Sequence, residues 1–143
     1  MAVEGSLIAP MQIIGGDRVG VPQGIGDVQG NRQAAQGNRQ AEASFTVEAL
    51  SDTTVTITVE VLAPNSGDDS FFVWFDTGSR YEWHIHPDSH SNYQSLMWRQ
   101  VGTTFALAEG VHTLHIGLRE DGTSFRAIQI LAGDVIFRRR GNP

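Results

Sequence analysis

The fold class is decided by the stretch Asp68–Gly78, DDSFFVWFDTG, which reads as a β-strand that runs into a turn. Because successive side chains of a strand point to opposite faces, Phe71 and Val73 belong to one face. Phe72 and Trp74 belong to the other face, where a sheet with one solvated side normally carries polar residues. Exposed aromatic rings beside polar groups commonly mark a binding surface. The stretch therefore predicts a sheet protein that binds a ligand through exposed Phe72 and Trp74.

Short alternating runs of the same kind recur along the chain, whereas helix patterns are nearly absent. Clusters of Gly, Asp, Asn, Ser and Pro separate the runs, as is typical of turns. The runs lie at 45–49, 55–61, 71–75, 105–107, 114–118, 128–130 and 135–137. This pattern predicts an all-β fold, an antiparallel β-sandwich of jelly-roll type.

Length and composition restrict the classes of protein further. The 143 residues predict a single domain, 1–143, large enough to form a core without cross-links. There is no cysteine, so disulfides and thiolate metal ligands are unavailable. The net charge of −6 disfavours nucleic acid as a partner, because such partners normally require a basic surface. No apolar run reaches the roughly 18 residues of a membrane span, so no membrane partner is expected.

The segment Gly15–Gln40 has a different composition, rich in Gly, Gln and Asn. It contains the sequence Gly-Asn-Arg-Gln-Ala at 30–34 and again at 37–41. Its apolar content is too low for a helix with a buried face. We expect a long loop with room for one short strand.

Histidine spacing raises a metal-binding alternative. His84 and His86 lie two residues apart, so both project from one face of a strand and could reach one ion. With Gly78 six residues before them, they resemble the opening of the first cupin motif. The motif's glutamate is missing, because His90 and Ser91 stand where it is expected. No nucleophile-and-base arrangement occurs either, so neither a metal nor an enzymatic activity is predicted, and a cupin-like protein stays an alternative.

Motifs in the second half of the chain occur in a characteristic order. They are the strand 69–73, Asp76-x-Gly78 followed by Trp83, then Trp98, and the segments 105–114 and 119–122. In this order and spacing the chain resembles the β-sandwich carbohydrate-binding modules related to families 6 and 35. The resemblance implies a galactose-binding-like fold and a non-catalytic module. It further implies an extracellular, secreted parent enzyme that degrades polysaccharide, with the module keeping that enzyme at its glycan.

The resemblance also assigns positions to residues. Family 6 modules stack a sugar on a tryptophan three residues before the position of Trp98. That position is Ser95 here, and Tyr93 is the nearest substitute. Trp83 and Trp98 match positions that pack in the core of the family.

A structural calcium ion is common in the family, held by N-terminal glutamates and a late aspartate. The aspartate position is occupied by Arg126, which cannot ligate a cation. We therefore expect no cofactor, with the calcium ion as the alternative. The hypothesis is that the Arg126 guanidinium takes the place of the ion and pairs with Glu4 or Glu42.

The expected sugar site is the outward face of the sheet. Its residues are Phe72, Trp74, Glu82, His84, His86, His115, Gly117 and Arg119. Aromatic rings stack on the C–H groups of a pyranose, while polar side chains bind its hydroxyls. Arg119 suits a carboxylated or sulfated sugar, because a guanidinium binds such groups bidentately. The loop at Tyr93 is the second choice of site, and a structural or oligomerising sandwich with an aromatic interface is the second choice of function.

Overall fold

The computed structural model describes residues 3–9, 11–14, 16–22, 40–64, 70–85, 95–119, 122–132 and 135–138. The strands are β1 Val3–Ile8, β2 Gln12–Ile14, β3 Arg18–Gly20, β4 Glu42–Ala49, β5 Thr53–Leu62, β6 Ser70–Phe75, β7 Tyr81–His84, β8 Met97–Leu107, β9 Gly110–Leu118, β10 Ser124–Ala132 and β11 Val135–Arg138. Within these ranges no helix has the length and hydropathy to cross a membrane.

The strands form two sheets whose inner faces share one core. The first sheet has the order β1-β4-β9-β6-β7 and the second β2-β3-β10-β5-β8, with β11 paired to β10. Every pairing is antiparallel. The predicted antiparallel β-sandwich of jelly-roll type is therefore confirmed. β7 and β8 form edges of their respective sheets.

The core is built from alternate residues of each strand. In β5 every second residue from Val55 to Val61 is fully buried. Phe71 of the first sheet stacks on Trp83 with ring centroids 5.6 Å apart, and meets Phe125 of the second sheet edge-on at 6.0 Å. Burying side chains of this size contributes roughly 1.5–3 kcal/mol each. The inward half of the alternation thus holds the two sheets together.

The structure contains strands that the sequence analysis did not predict, and β8 is longer than predicted. β1 and β2 were not anticipated, and β3 is the one short strand for which the segment Gly15–Gln40 left room; residues 23–39 lie outside the described part. β8 begins at Met97 rather than Phe105. Its register against β5 shifts between Thr56 and Thr58, so β8 contains a bulge, although less and more exposed residues keep alternating from Met97 to Leu107. The sequence signal of β8 is weak because the polar residues Arg99 and Thr103 stand among its less exposed positions.

Candidate functional site

The described residues of the predicted binding face lie together on the outward face of the first sheet. Phe72 of β6 lies opposite Glu82 of β7 and opposite Gly117 of β9. Trp74 lies opposite His115 in the same way. Directly opposed residues of antiparallel strands share a face, so these side chains point away from the core. The alternation inferred from the sequence is correct.

The expected exposure of the two aromatic residues is wrong. Phe72 is 3% exposed and Trp74 only 1%, and together they form a small cluster separate from the main core. The His115 ring stacks on the indole at 4.8 Å between centroids and 9° between planes. On the other side of β6, Arg80 directly precedes β7, and its guanidinium lies 4.7 Å from the centre of the indole. A sugar cannot reach Trp74 in this arrangement, and neither Trp74 nor Phe72 is available for a protein interface.

A buried carboxylate holds this cover in position. Glu42, the first residue of β4, is completely buried, and its Oε2 lies 2.7 Å from Nδ1 of His115. A buried carboxylate must be hydrogen-bonded, because leaving it without a partner costs far more than the bond itself gains. Glu42, His115, Trp74 and Arg80 therefore form one row across four neighbouring chain segments. The row closes the aromatic part of the face.

The polar part of the face is open to solvent. Glu82 Oε2 lies 2.7 Å from Nε2 of His84, and its Oε1 lies 3.9 Å from Nε of Arg119. Arg119 also donates from Nη1 to the Ser70 hydroxyl at 3.3 Å. The side chains of His84 and Glu82 are about one-third exposed, and that of Arg119 about one-quarter. The structure thus brings Glu82, His84 and Arg119 together as a cluster, which we call the acid–base cluster.

Two residues of the predicted site, His86 and Tyr93, lie outside the described residues, as does His90. In the described ranges no group of three or more His, Cys, Asp or Glu side chains could hold a metal ion. The acid–base cluster contains only two such residues beside its arginine. The cupin-like alternative receives no support from this geometry.

Arg126 has different partners from those expected. Its Nε and Nη2 donate to the two carboxylate oxygens of Glu60 at 2.8 Å each, and Nη1 donates to Asp17 at 3.1 Å. These contacts raise the pKa of Arg126, the hydrogen bond to Glu60 contributing most. The proposed pairing with Glu42 is wrong, because Glu42 lies on the other sheet and bonds to His115. The side chain of Glu4 lies outside the described part.

Of the two tryptophans that the family resemblance assigned to the core, one is buried and the other is exposed. Trp83 is 4% exposed and packs on Phe71, as expected. Trp98 is 42% exposed, so its assignment to the core is wrong. It lies opposite Glu60, on the outward face of the second sheet, where residues alternate with the buried ones of β5. The alternation along β8, in which Trp98 shares its side with the exposed Gln100 and Ala106, is the local signal that could have revealed this exposure.

A groove of about 520 Å³ opens between the edge strands of the two sheets. Its walls are the turn 75–81 and the second half of β8, 103–107. His112 bonds to Asp76 through Nδ1 at 2.7 Å and to the carbonyl of Ala108 through Nε2 at 2.6 Å. Both partners are acceptors, so both bonds form at once only when both ring nitrogens carry a proton. His112 thereby links the two turns that border the groove.

The pKa values of this pair shift in opposite directions. The hydrogen bond to Asp76, followed by that to Ala108, raises the pKa of His112. Burial of Asp76 acts to raise the pKa of its carboxyl, but the hydrogen bonds from His112 and the Thr113 amide outweigh it and lower the pKa. Asp76 adopts a left-handed conformation, φ 53°, which brings its carboxylate back toward these two donors. The His112–Asp76 pair therefore acts as a clamp that, with the bond to Ala108, holds the turn after β6 to the turn after β8.

Comparison with known proteins supports the fold. No protein-family model and no curated protein matches the sequence. Among solved structures, a family 35 carbohydrate-binding module from Clostridium thermocellum is 14% identical, with a TM-score of 0.60, over 92% of this chain and 99% of that one. The module Xyl-CBM35, in complex with a glucuronic acid-containing disaccharide, is 11% identical, with a TM-score of 0.53, over 69% and 70%. A ruminal GH26 endo-β-1,4-mannanase is 16% identical, with a TM-score of 0.52, over 63% of this chain but only 17% of that one.

Proposed function

We propose that this domain is a non-catalytic carbohydrate-binding module that recognises a glycan through the acid–base cluster. The observation that carries the proposal is the fixed, solvent-accessible arrangement of Glu82, His84 and Arg119 on the first sheet. It stands on a sandwich fold that known carbohydrate-binding modules share. Stacking on Trp74 is no part of the proposal, because His115 and Arg80 cover that indole.

The chemistry of the cluster suits sugar hydroxyls. A carboxylate accepts hydrogen bonds from two adjacent hydroxyls, and a guanidinium donates several bonds from one plane. The bond from Glu82 to His84 and the bond from Arg119 to Ser70 hold these side chains in part, which reduces the side-chain freedom lost when a ligand binds. Arg119 further favours a carboxylated sugar, and the related module Xyl-CBM35 binds a disaccharide that contains glucuronic acid. Binding at a single shallow site of this kind is expected to be weak.

The wider role follows as part of the same proposal. The domain would keep a parent polysaccharide-degrading enzyme, secreted from the cell, close to its substrate. A ruminal mannanase of which this chain spans 17% is consistent with such an arrangement. The domain itself would contribute affinity rather than catalysis.

A glycan array that includes uronate-rich and sulfated polymers tests the function, followed by calorimetry on the best binder. Arg119→Met should weaken binding of a uronate ligand by roughly 10- to 150-fold, since a charge-assisted hydrogen bond is worth about 1.5–3 kcal/mol. Arg18→Met is the matched control, because Arg18 also donates from Nη1 to a serine hydroxyl, that of Ser124 at 3.0 Å, but on the second sheet. The function is refuted if no glycan binds. The site is refuted if both variants bind equally well.

A further inference from the structure

The second sheet presents an exposed indole that the function proposed above leaves unused. Of the three tryptophans, Trp74 and Trp83 are buried, whereas Trp98 is 42% exposed. Trp98 lies on the edge strand β8, on the side of the sandwich opposite to the acid–base cluster. An exposed tryptophan on a flat sheet keeps a large apolar surface in water, which a ligand could remove.

The indole is surrounded by hydrogen-bonding side chains on the same face. Glu60 lies directly opposite Trp98, and Thr58 lies opposite Gln100, the next residue of β8 on that face. Gln129 of β10 lies opposite Thr58 and extends the polar row across the sheet. Hydroxyl, carboxamide and carboxylate groups together offer both donors and acceptors. Such a mixture around one ring suits a polyhydroxylated ligand better than an apolar protein surface.

The polar row is rigid because its carboxylate is anchored. Glu60 is only 13% exposed in its side chain and receives two hydrogen bonds from Arg126, whose third donor group binds Asp17. All three nitrogens of the guanidinium are therefore engaged within the protein. A carboxylate held in this way accepts hydroxyl protons without first losing conformational freedom.

The charge of the row indicates which sugar fits. Two carboxylates, Glu60 and Asp17, accept three hydrogen bonds from one guanidinium, so the group carries one net negative charge. A uronate would meet one net negative charge at this group of three side chains. A neutral sugar would meet acceptors for its hydroxyls and an indole for its C–H face. In the acid–base cluster, Arg119 and Glu82 carry opposite charges that balance, so a uronate meets no net negative charge from this pair.

From these observations we propose that Trp98 is the stacking platform of a second glycan site, which binds a neutral pyranose chain on the outer face of the second sheet. The site goes beyond the function proposed above and lies on the opposite side of the sandwich. One domain could then hold an anionic substituent on one face and a neutral backbone on the other. Two weak sites on one domain raise the overall affinity for a polymer without further contacts.

Tryptophan fluorescence tests the site directly, since Trp98 alone is accessible to a quencher. We would titrate the domain with xylohexaose, mannohexaose and cellohexaose and measure acrylamide quenching. One of these probes should protect the indole, and Trp98→Ala should weaken its binding about tenfold or more, as truncation of an aromatic anchor usually does. Val111→Ala is the matched control, an exposed apolar residue on the first sheet. Gln100→Ala, on an exposed position, should weaken binding to a smaller extent and guards against an effect of Trp98→Ala on folding.

The outcomes separate this proposal from the previous one. If glycans bind the domain but none protects Trp98 and Trp98→Ala changes no affinity, the second site is wrong while the function stands. If no glycan binds at all, both are wrong. If Trp98→Ala instead converts a dimer into a monomer in light scattering, the indole belongs to a protein interface and the glycan site is refuted.

Discussion

Replacing His115 with alanine should show how strongly the closed row stabilises the domain. The imidazole both stacks on Trp74 and bonds to the fully buried Glu42. Losing a hydrogen bond to a buried charged group costs about 1.5–3 kcal/mol, since the group keeps its desolvation penalty. Losing the ring stack adds about 0.5–1.5 kcal/mol. We expect His115→Ala to lower the free energy of unfolding by about 3 kcal/mol, or the Tm by about 10 °C.

The matched control is His84→Ala. His84 bonds to Glu82 over the same 2.7 Å, but the side chains of His84 and Glu82 are each about one-third exposed. An exposed pair of this kind contributes roughly 0.2–1 kcal/mol, so the Tm should fall by only a few degrees. Both variants can be measured by urea and thermal denaturation followed by circular dichroism.

A further variant and a fluorescence measurement add to this experiment. His115→Phe keeps a ring over Trp74 but loses the bond to Glu42, so it should recover only the stacking part of the loss. His115→Ala should also expose Trp74 and shift its fluorescence to longer wavelength. Equal losses of stability in His115→Ala and His84→Ala would contradict the reasoning, because burial is the main difference between the two pairs.

Two other predictions concern the clamp and a glycine. Because the pKa of His112 is raised, its contribution to the free energy of unfolding is complete below the ordinary value of 6.5 and is lost as the pH rises through the raised value. Because the pKa of Asp76 is lowered, its contribution is complete above 3.8 and is lost as the pH falls through the lowered value. The urea midpoint of the wild type should therefore exceed that of His112→Gln most between pH 3.8 and 6.5, and a pH-independent difference would contradict the clamp. Gly20→Ala would place a methyl group 2.6 Å from the Thr123 carbonyl oxygen, so it should lower the free energy of unfolding by about 1–3 kcal/mol. Gly102→Ala, which meets only the tip of the Tyr81 side chain, should cost less in the same denaturation assay.

The sandwich could be predicted because its evidence is local. The alternation in β5 and β6 marks strands, and the polar clusters at 51–52 and 77–79 mark turns. β1 and β2 escaped detection because short strands with little alternation resemble loops. β8 was shortened because the polar residues Arg99 and Thr103 occupy two of its less exposed positions, which obscures the alternation of apolar residues.

The candidate site could be predicted only in part. The shared face of Glu82, His84 and Arg119 follows from alternation once the strands are paired. The burial of Trp74 depends on His115, forty-one positions later, and on Glu42, seventy-three positions before His115. The alternation places Trp98 on the outward face, but its exposure depends on what other segments place over the outer face of the second sheet.

The amino-acid sequence by itself determined where most strands and turns lie and which of the two faces each side chain takes, because both depend on the backbone geometry of neighbouring residues. Only the tertiary structure decided which outward rings meet solvent. Exposure depends on what distant segments place across the sheet, and here they cover Trp74 with an imidazole and a guanidinium while leaving Trp98 open.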